Sequence, residues 1–184
     1  MSEVTEVVDD DAGTAEKPEP ERLHGALVTH GGDATVLHVT PGEYLAVVNA
    51  LRADGYYMCI DVCGVDYLTH CGRSALPAEI EAQRFEVVAQ FLRHSDASRA
   101  RVRVQVDADE PTVPTITGLF PGAEGPERET WDMFGIVFYG HPDLTRILMP
   151  DEWTGHPLRK DYSVGRIPVQ FKAAPIRGDR EGVK

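Results

Sequence analysis

Phe85-Glu-Val-Val-Ala-Gln-Phe-Leu-Arg-His-Ser-Asp-Ala-Ser-Arg-Ala-Arg-Val-Arg-Val-Gln-Val106 decides the fold. Phe85, Val87, Ala89 and Phe91 alternate with Glu86, Val88, Gln90 and Leu92, the two-residue period of a strand. Ala100, Val102, Val104 and Val106 then alternate with Arg101, Arg103, Gln105 and Asp107. Ser95-Asp-Ala-Ser98 between the two runs is turn-like, so the segment reads as a hairpin with one apolar face.

Upstream, Thr35-Val-Leu-His-Val39 is a short strand candidate that leads into Thr40-Pro-Gly-Glu43. Thr40 can cap a helix, Pro41 suits its first position, and Glu43 can reach back to close a capping box. Tyr44, Val48 and Leu51 share a helical face, with Leu45 alongside, and Gly55 supplies a stop. Tyr56–Cys63 is a β-prone run continuing through Gly64-Val-Asp-Tyr-Leu68. A helix between strands, followed by a hairpin, predicts a two-layer α/β (α+β) sandwich with helices on one face of a mainly antiparallel sheet.

Beyond Asp107, prolines cut the chain into short pieces. Glu127–Phe134 reads as a helix ended by Gly135, with Trp131 and Phe134 as its apolar side. From Ile136 onward, Pro142, Pro150, Pro157, Pro168 and Pro175 leave no room for a helix, yet Phe138, Ile147, Leu148 and Trp153 occur there. Apolar anchors on a stretch that cannot bury a core of its own predict an arm that lies on something else. The expected organisation is an acidic disordered tail over 1–22, an α/β domain over 23–135, and an extended arm over 136–184.

Charge divides the chain in the same places. Its 184 residues carry a formal net charge of -12, with a pI near 4.9. Residues 1–22 hold eight carboxylates against Lys17 and Arg22, whereas residues 156–184 hold seven bases against three acids. The overall balance argues against nucleic acid and anionic lipid as partners. The acidic start is the opposite of an Arg-rich transit peptide and lacks the basic-then-apolar pattern of a signal peptide. No apolar run approaches the roughly 18 residues of a membrane span. Three cysteines without a secretory signal predict free thiols in a reducing, cytosol-facing compartment.

Chemical motifs are sparse. Cys59 and Cys63 on a strand lie about 13 Å apart at ~3.3 Å per residue, too far for one ion. With Cys71 their spacing matches neither a zinc finger nor a ferredoxin, and structural thiols are expected. Glu127 and Glu129 face apart on a helix by about 200°, so they form no acid/base pair. Arg128 and Asp132 are i, i+4 and are expected to pair with each other. Gly140-His-Pro142 and Gly155-His-Pro157 echo one another without a metal-binding spacing. Leu158-Arg-Lys-Asp-Tyr162 suits a solvated face or a protein interface. Phosphate loops, dinucleotide fingerprints and nucleophile elbows are absent. An assembly role is therefore favoured over a free-standing metalloenzyme using His141, His156 and Cys59.

Glu127-Arg-Glu-Thr-Trp-Asp-Met-Phe-Gly-Ile136, Phe138, Gly140-His-Pro-Asp-Leu144, Arg146-Ile-Leu-Met-Pro150, Trp153 and Gly155-His-Pro-Leu-Arg-Lys-Asp-Tyr162 carry a resemblance. Together they resemble one peripheral-arm subunit of bacterial NADH:quinone oxidoreductase, respiratory complex I. It is the family that includes the mitochondrial iron-sulfur protein 3 and a chloroplast relative. Gly64-Val-Asp-Tyr67, Phe85-Glu-Val-Val88 and Val113-Pro-Thr-Ile116 extend the likeness to most of the chain beyond residue 23. Thr145, Glu124-Gly-Pro126 and Ser163 depart from the family pattern, and the Thr145 departure is expected to loosen one charge pair. The resemblance implies a subunit without a cofactor of its own, on the cytoplasmic side of the cell membrane. FMN and iron–sulfur clusters would sit in partner subunits, and quinone would be the substrate of the complex. It also implies an arm packed on the hydrogenase-like large subunit and near the small subunit that carries the terminal cluster. The corresponding subunit of an energy-converting hydrogenase, or of a dehydrogenase with another donor, is the alternative. The signature residues expected at the interface are Glu127, Arg128, Glu129, Asp132, Gly135, His141, Pro142, Arg146, Trp153, His156, Pro157, Arg159, Lys160, Asp161 and Tyr162.

Overall fold

The computed structural model describes residues 19–70, 73 and 76–163. The expected acidic tail, Cys71 and the arm beyond 163 therefore lie largely or wholly outside the described residues.

The hairpin forms as its alternation predicts. Strands β5 (Phe85–Arg93) and β6 (Ser98–Val106) pair antiparallel from Phe85↔Val106 to Arg93↔Ser98. Asp96 builds the turn by accepting the Ser98 amide at 3.1 Å and a two-pronged contact from Arg93. The other strands are β1 (Arg22–Leu23), β2 (Ala26–Gly31), β3 (Ala34–Val39) and β4 (Met58–Asp66). The six form one sheet in the order β1-β2-β3-β6-β5-β4, and β3 against β6 is its single parallel pair. A mainly antiparallel sheet is thus what the chain makes. The β2–β3 hairpin turns through Gly31-Gly32-Asp33, a signal that the sequence reading did not use.

Helix α1 (Pro41–Ala53) starts where the Thr40–Glu43 box places it, the Thr40 amide donating to the Glu43 carboxylate at 2.9 Å. Tyr44, Val47, Val48 and Leu51 are its buried residues, and they share one cluster with Leu37, Val39, Val87, Phe91, Val102 and Val104. Helix α2 (Glu124–Phe134) packs on β4 and stops at Gly135, which takes φ +73. Both helices therefore cover the face that carries the apolar half of the hairpin.

The chain does not leave this domain at Gly135. Strand β8 (Val137–Tyr139) pairs in parallel with β7 (Thr112–Pro114), and Ile136 and Phe138 are buried in the main cluster. Phe138, read from sequence as an anchor for an external surface, fills this chain's own core. A parallel partner 25 residues upstream gives no local signal in the sequence.

The close approach of α2 to β4 depends on Gly64, where a Cβ would lie 2.8 Å from Phe134 and 3.0 Å from Thr130. Gly64→Ala is expected to destabilise the domain by roughly 1–3 kcal/mol through overpacking. A urea titration followed by circular dichroism measures it, and an unchanged midpoint would show that α2 shifts freely.

Candidate interaction site

Helix α2 was expected to bury Trp131 and Phe134 and to expose its charges. Trp131 and Phe134 do pack, half-buried, against the core, but two of the charges go deeper still: Glu127 and Asp132 are fully enclosed, beside the buried Thr130 and Met133. The reason lies in the neighbouring chain. Loops without a ladder of their own have amide donors to satisfy, and a buried carboxylate supplies acceptors for several at once.

Glu127 accepts the Ile116 amide at 2.9 Å and the Thr115 hydroxyl at 2.5 Å, fixing the loop after β7. Burial raises its carboxyl above the ordinary range, against the pull of those two donors. The buried His141 ring lies 4.0 Å away and donates from Nε2 to the Glu124 carbonyl, while its Nδ1 accepts the Asp143 amide.

Asp132 holds the segment that follows β8. Its Oδ2 accepts the amides of Ile147, Leu148 and Met149 at 3.1, 2.8 and 2.9 Å, and its Oδ1 accepts from Arg146 at 2.5 Å. Arg146 also donates to the carbonyls of Trp153 and Gly155 at 2.9 and 3.1 Å. Burial would raise the Asp132 carboxyl, but the three amides and Arg146 hold it below the usual range.

The expected Arg128–Asp132 pair is not formed. Arg128 donates instead to the Thr145 carbonyl at 3.1 Å, the Thr145 hydroxyl at 2.7 Å and the Arg146 carbonyl at 3.0 Å. Helical spacing put the two residues in reach of each other, yet each has partners in the following segment. Thr145 takes part in this network through its hydroxyl.

Further along, His156 Nδ1 donates to the Asp132 carbonyl at 3.0 Å, and the Leu158 amide donates to the Met133 carbonyl at 3.0 Å. Burial lowers the His156 pKa. Arg159 donates to the Phe134 carbonyl at 2.5 Å, so the C-terminal carbonyls of α2 are capped by this segment. Gly135 is required twice over: its φ is left-handed, and a Cβ would lie 2.6 Å from both Arg159 and His156. The Lys160 amide donates to Asp66 at 2.9 Å, and Arg84 bridges Asp66 and Asp161, each at 2.9 Å. Arg84, Lys160 and Leu68 outweigh burial at Asp66 and lower its pKa to about 2. Tyr162 packs its ring against Gly155, and Pro157 is half-buried. Glu129 and Pro142 are exposed. Residues 145–162 thus form a strap tied to α2 and to the end of β4.

The strap leaves three large apolar side chains outside, among exposed charges such as Asp151, Glu152 and Lys160. Ile147, Leu148 and Leu158 are 46, 59 and 47% exposed. Cys59 is pushed up to about 12 by burial beside Asp61 and Glu127, and Cys63 is raised by burial and Asp61. His141 and His156 are each engaged with a different carbonyl, and no group of three potential metal ligands occurs among the described residues. Nor is any helix there long and apolar enough to cross a membrane.

A family model described as the 30 Kd subunit of the respiratory-chain NADH dehydrogenase matches residues 37–167, from β3 through the strap. The chain belongs to this family. Two curated relatives, both NADH-quinone oxidoreductase subunits of the C type, show how far the likeness runs. That of Roseiflexus (strain RS-1) is 46% identical over 161 residues, covering 82% of this chain and 86% of that one. That of Salinispora arenicola is 42% identical over 153 residues, and there the match covers 82% of this chain but 58% of the relative. Among solved structures, the trypsin-resistant fragment (1-134) of Nqo5 superposes with a TM-score of 0.57 at 32% identity, over 65% of this chain and 90% of that one.

Two expectations follow for the strap. Asp132→Asn, which keeps the shape but removes the charge opposite Arg146, should cost roughly 3–5 kcal/mol and expose residues 145–162 to trypsin. Unchanged digestion kinetics would show that the strap is held elsewhere. Asp132 and Asp66 both have depressed pKa values, so their stabilisation is complete above the unfolded value near 3.9 and is lost as pH falls through the folded ones. Both tryptophans, Trp131 and Trp153, sit at this junction. Their fluorescence should show a step below about pH 4, separate from any change as His156 protonates beside Trp131, and the Asp66→Asn/Asp132→Asn variant should lose that low-pH step.

Proposed function

We propose that this chain is a peripheral-arm subunit of NADH:quinone oxidoreductase, holds no cofactor itself, and braces the module in which electrons pass from NADH through flavin and iron–sulfur clusters to quinone, coupled to proton translocation. Family membership supports the complex, and the strap supports the bracing role. The observation that carries the reading is the Asp132 knot, which fixes a coreless segment on the domain with Ile147 and Leu148 turned outward. A partner surface is the natural cover for such residues.

In this reading the segment that follows β8 docks on the hydrogenase-like large subunit and near the small subunit that carries the terminal cluster. The signature residues do not act on substrate; they hold the docking face in shape. Association with the cytoplasmic face of the cell membrane is through those partners alone.

Co-expression with the partner subunits, followed by affinity purification and an NADH–quinone assay, tests this. Asp132→Ala should lower the yield of assembled complex several-fold while turnover per assembled complex stays near the wild-type value. Normal assembly with lost turnover would replace the bracing role by a catalytic one.

A further inference from the structure

The helix-free face of the sheet carries a second set of buried charges. Glu86 is fully enclosed there and accepts from Arg73, from Arg103 at 2.7 and 3.0 Å, and from Gln105 at 2.7 Å. Arg73 also stacks on the Tyr67 ring, 3.8 Å from its centre. Glu86 is thus shared between two guanidinium groups, and a third cation, Arg101, stands one pleat along β6 on the same face.

Arg101 has no carboxylate. Among the described residues it makes no ion pair, and its Nε is enclosed without a hydrogen-bond partner. It borders a pocket of about 260 Å³ lined by Thr29, Val36, Val88, Gln90, Arg101 and Arg103. No acid lines this pocket, and His30 at its rim already faces Glu21 at 3.1 Å. The enclosed Nε is out of an occupant's reach, but the two terminal nitrogens of Arg101 present a guanidinium fork that matches the two oxygens of a carboxylate.

We propose that this pocket binds a carboxylate, presented by an acidic side chain of a partner polypeptide, with Arg101 as the principal donor and Gln90 beside it. A monoanion fits better than a phosphate dianion, which would compete with Glu86 for Arg103 and strip a buried carboxylate of one of its two guanidinium partners. Val36 and Val88 suit the methylenes of a glutamate. One fork holds a free carboxylate only weakly, so occupancy comes from a side chain tethered within a larger docked surface. The inference rests on the reading of the chain as one component of a larger assembly.

The test has two arms on the full chain. In the first, ¹⁵N spectra follow the Arg101 Nε–H during titration with sodium acetate, acetyl-Ala-Glu-Ala-amide, sodium phosphate and sodium chloride at matched ionic strength. Saturable movement with acetate and peptide, absent in Arg101→Gln, supports the site. No response to either, or a response to phosphate alone, overturns it. In the second, Arg101→Gln and Arg101→Lys compete with wild type for incorporation into the complex. About a tenfold loss for the first and a smaller one for the second are expected, because the lysine keeps the charge without the fork. Equal incorporation of a folded Arg101→Gln sinks the proposal. Wild type that fails to co-purify with any partner strikes the complex reading instead, and leaves the acetate titration to judge the pocket.

Discussion

The strap depends on one carboxylate. Asp132 is fully enclosed, and four donors from Arg146, Ile147, Leu148 and Met149 converge on it. A chain segment interrupted by prolines cannot satisfy its amides in a helix or a sheet, and leaving them buried and unpaired would cost more than folding can offset. Concentrating acceptors on one buried side chain resolves this. Burying an aspartate is unfavourable by itself, and the same four donors remove that penalty. The domain and the strap therefore stabilise each other: the strap needs Asp132, and Asp132 needs the strap.

The same device recurs at other points. Glu127 fixes the loop after β7, Asp66 fixes Lys160, and Glu86 gathers Arg73, Arg103 and Gln105 on the opposite face. Asp132, Glu127 and Asp66 join parts of the chain that no ladder joins, while Glu86 ties Arg73 to two strands that already pair. The apolar cluster between the helices and the sheet supplies the bulk of the burial, and these four acids specify how irregular segments lie upon it. This division explains why α2 turns charged residues inward. Its role is to hold loops, and an apolar inner face would offer them no acceptors.

Much of the fold was legible because its signals are local. The alternation in Phe85–Phe91 and Ala100–Val106 and the Thr40–Glu43 box are read within a few residues, and both form as expected. The β2–β3 hairpin was equally local but passed over. What could not be read was set by distant partners. The β7–β8 pairing spans 25 residues, and the Arg146 contact with Asp132 spans 14, so helical spacing suggested Arg128 as the nearer partner. For the site, the resemblance picked out Asp132, Gly135, Arg146, His156 and Arg159 together, while residue chemistry alone could not say that they meet. Asp66 and Thr115 lay in stretches that carry the resemblance but had no role assigned, and Arg84 was missed, because nothing in residue chemistry alone distinguishes a knot residue from a surface one.

Anchoring through the main chain also decides what is left free. Asp132 takes main-chain amides of residues 147–149, Arg146 reaches main-chain carbonyls of 153 and 155, and Arg128 reaches those of 145 and 146. Leu158 and Lys160 are likewise held by their amides. Backbone anchoring, together with the side chains of Arg146, His156 and Arg159, fixes the path of the strap while asking little of Ile147, Leu148 and Leu158. Ile147, Leu148 and Leu158 can then be chosen for what lies outside, and the net charge of -12 says little about that surface. A rigid path with unconstrained outward side chains lowers the entropic cost of docking, since the backbone is ordered before a partner arrives. Most of the acidic excess lies elsewhere in the chain; the strap itself balances Arg146, Arg159 and Lys160 against Asp151, Glu152 and Asp161, and its exposed apolar residues are held in place by buried acids.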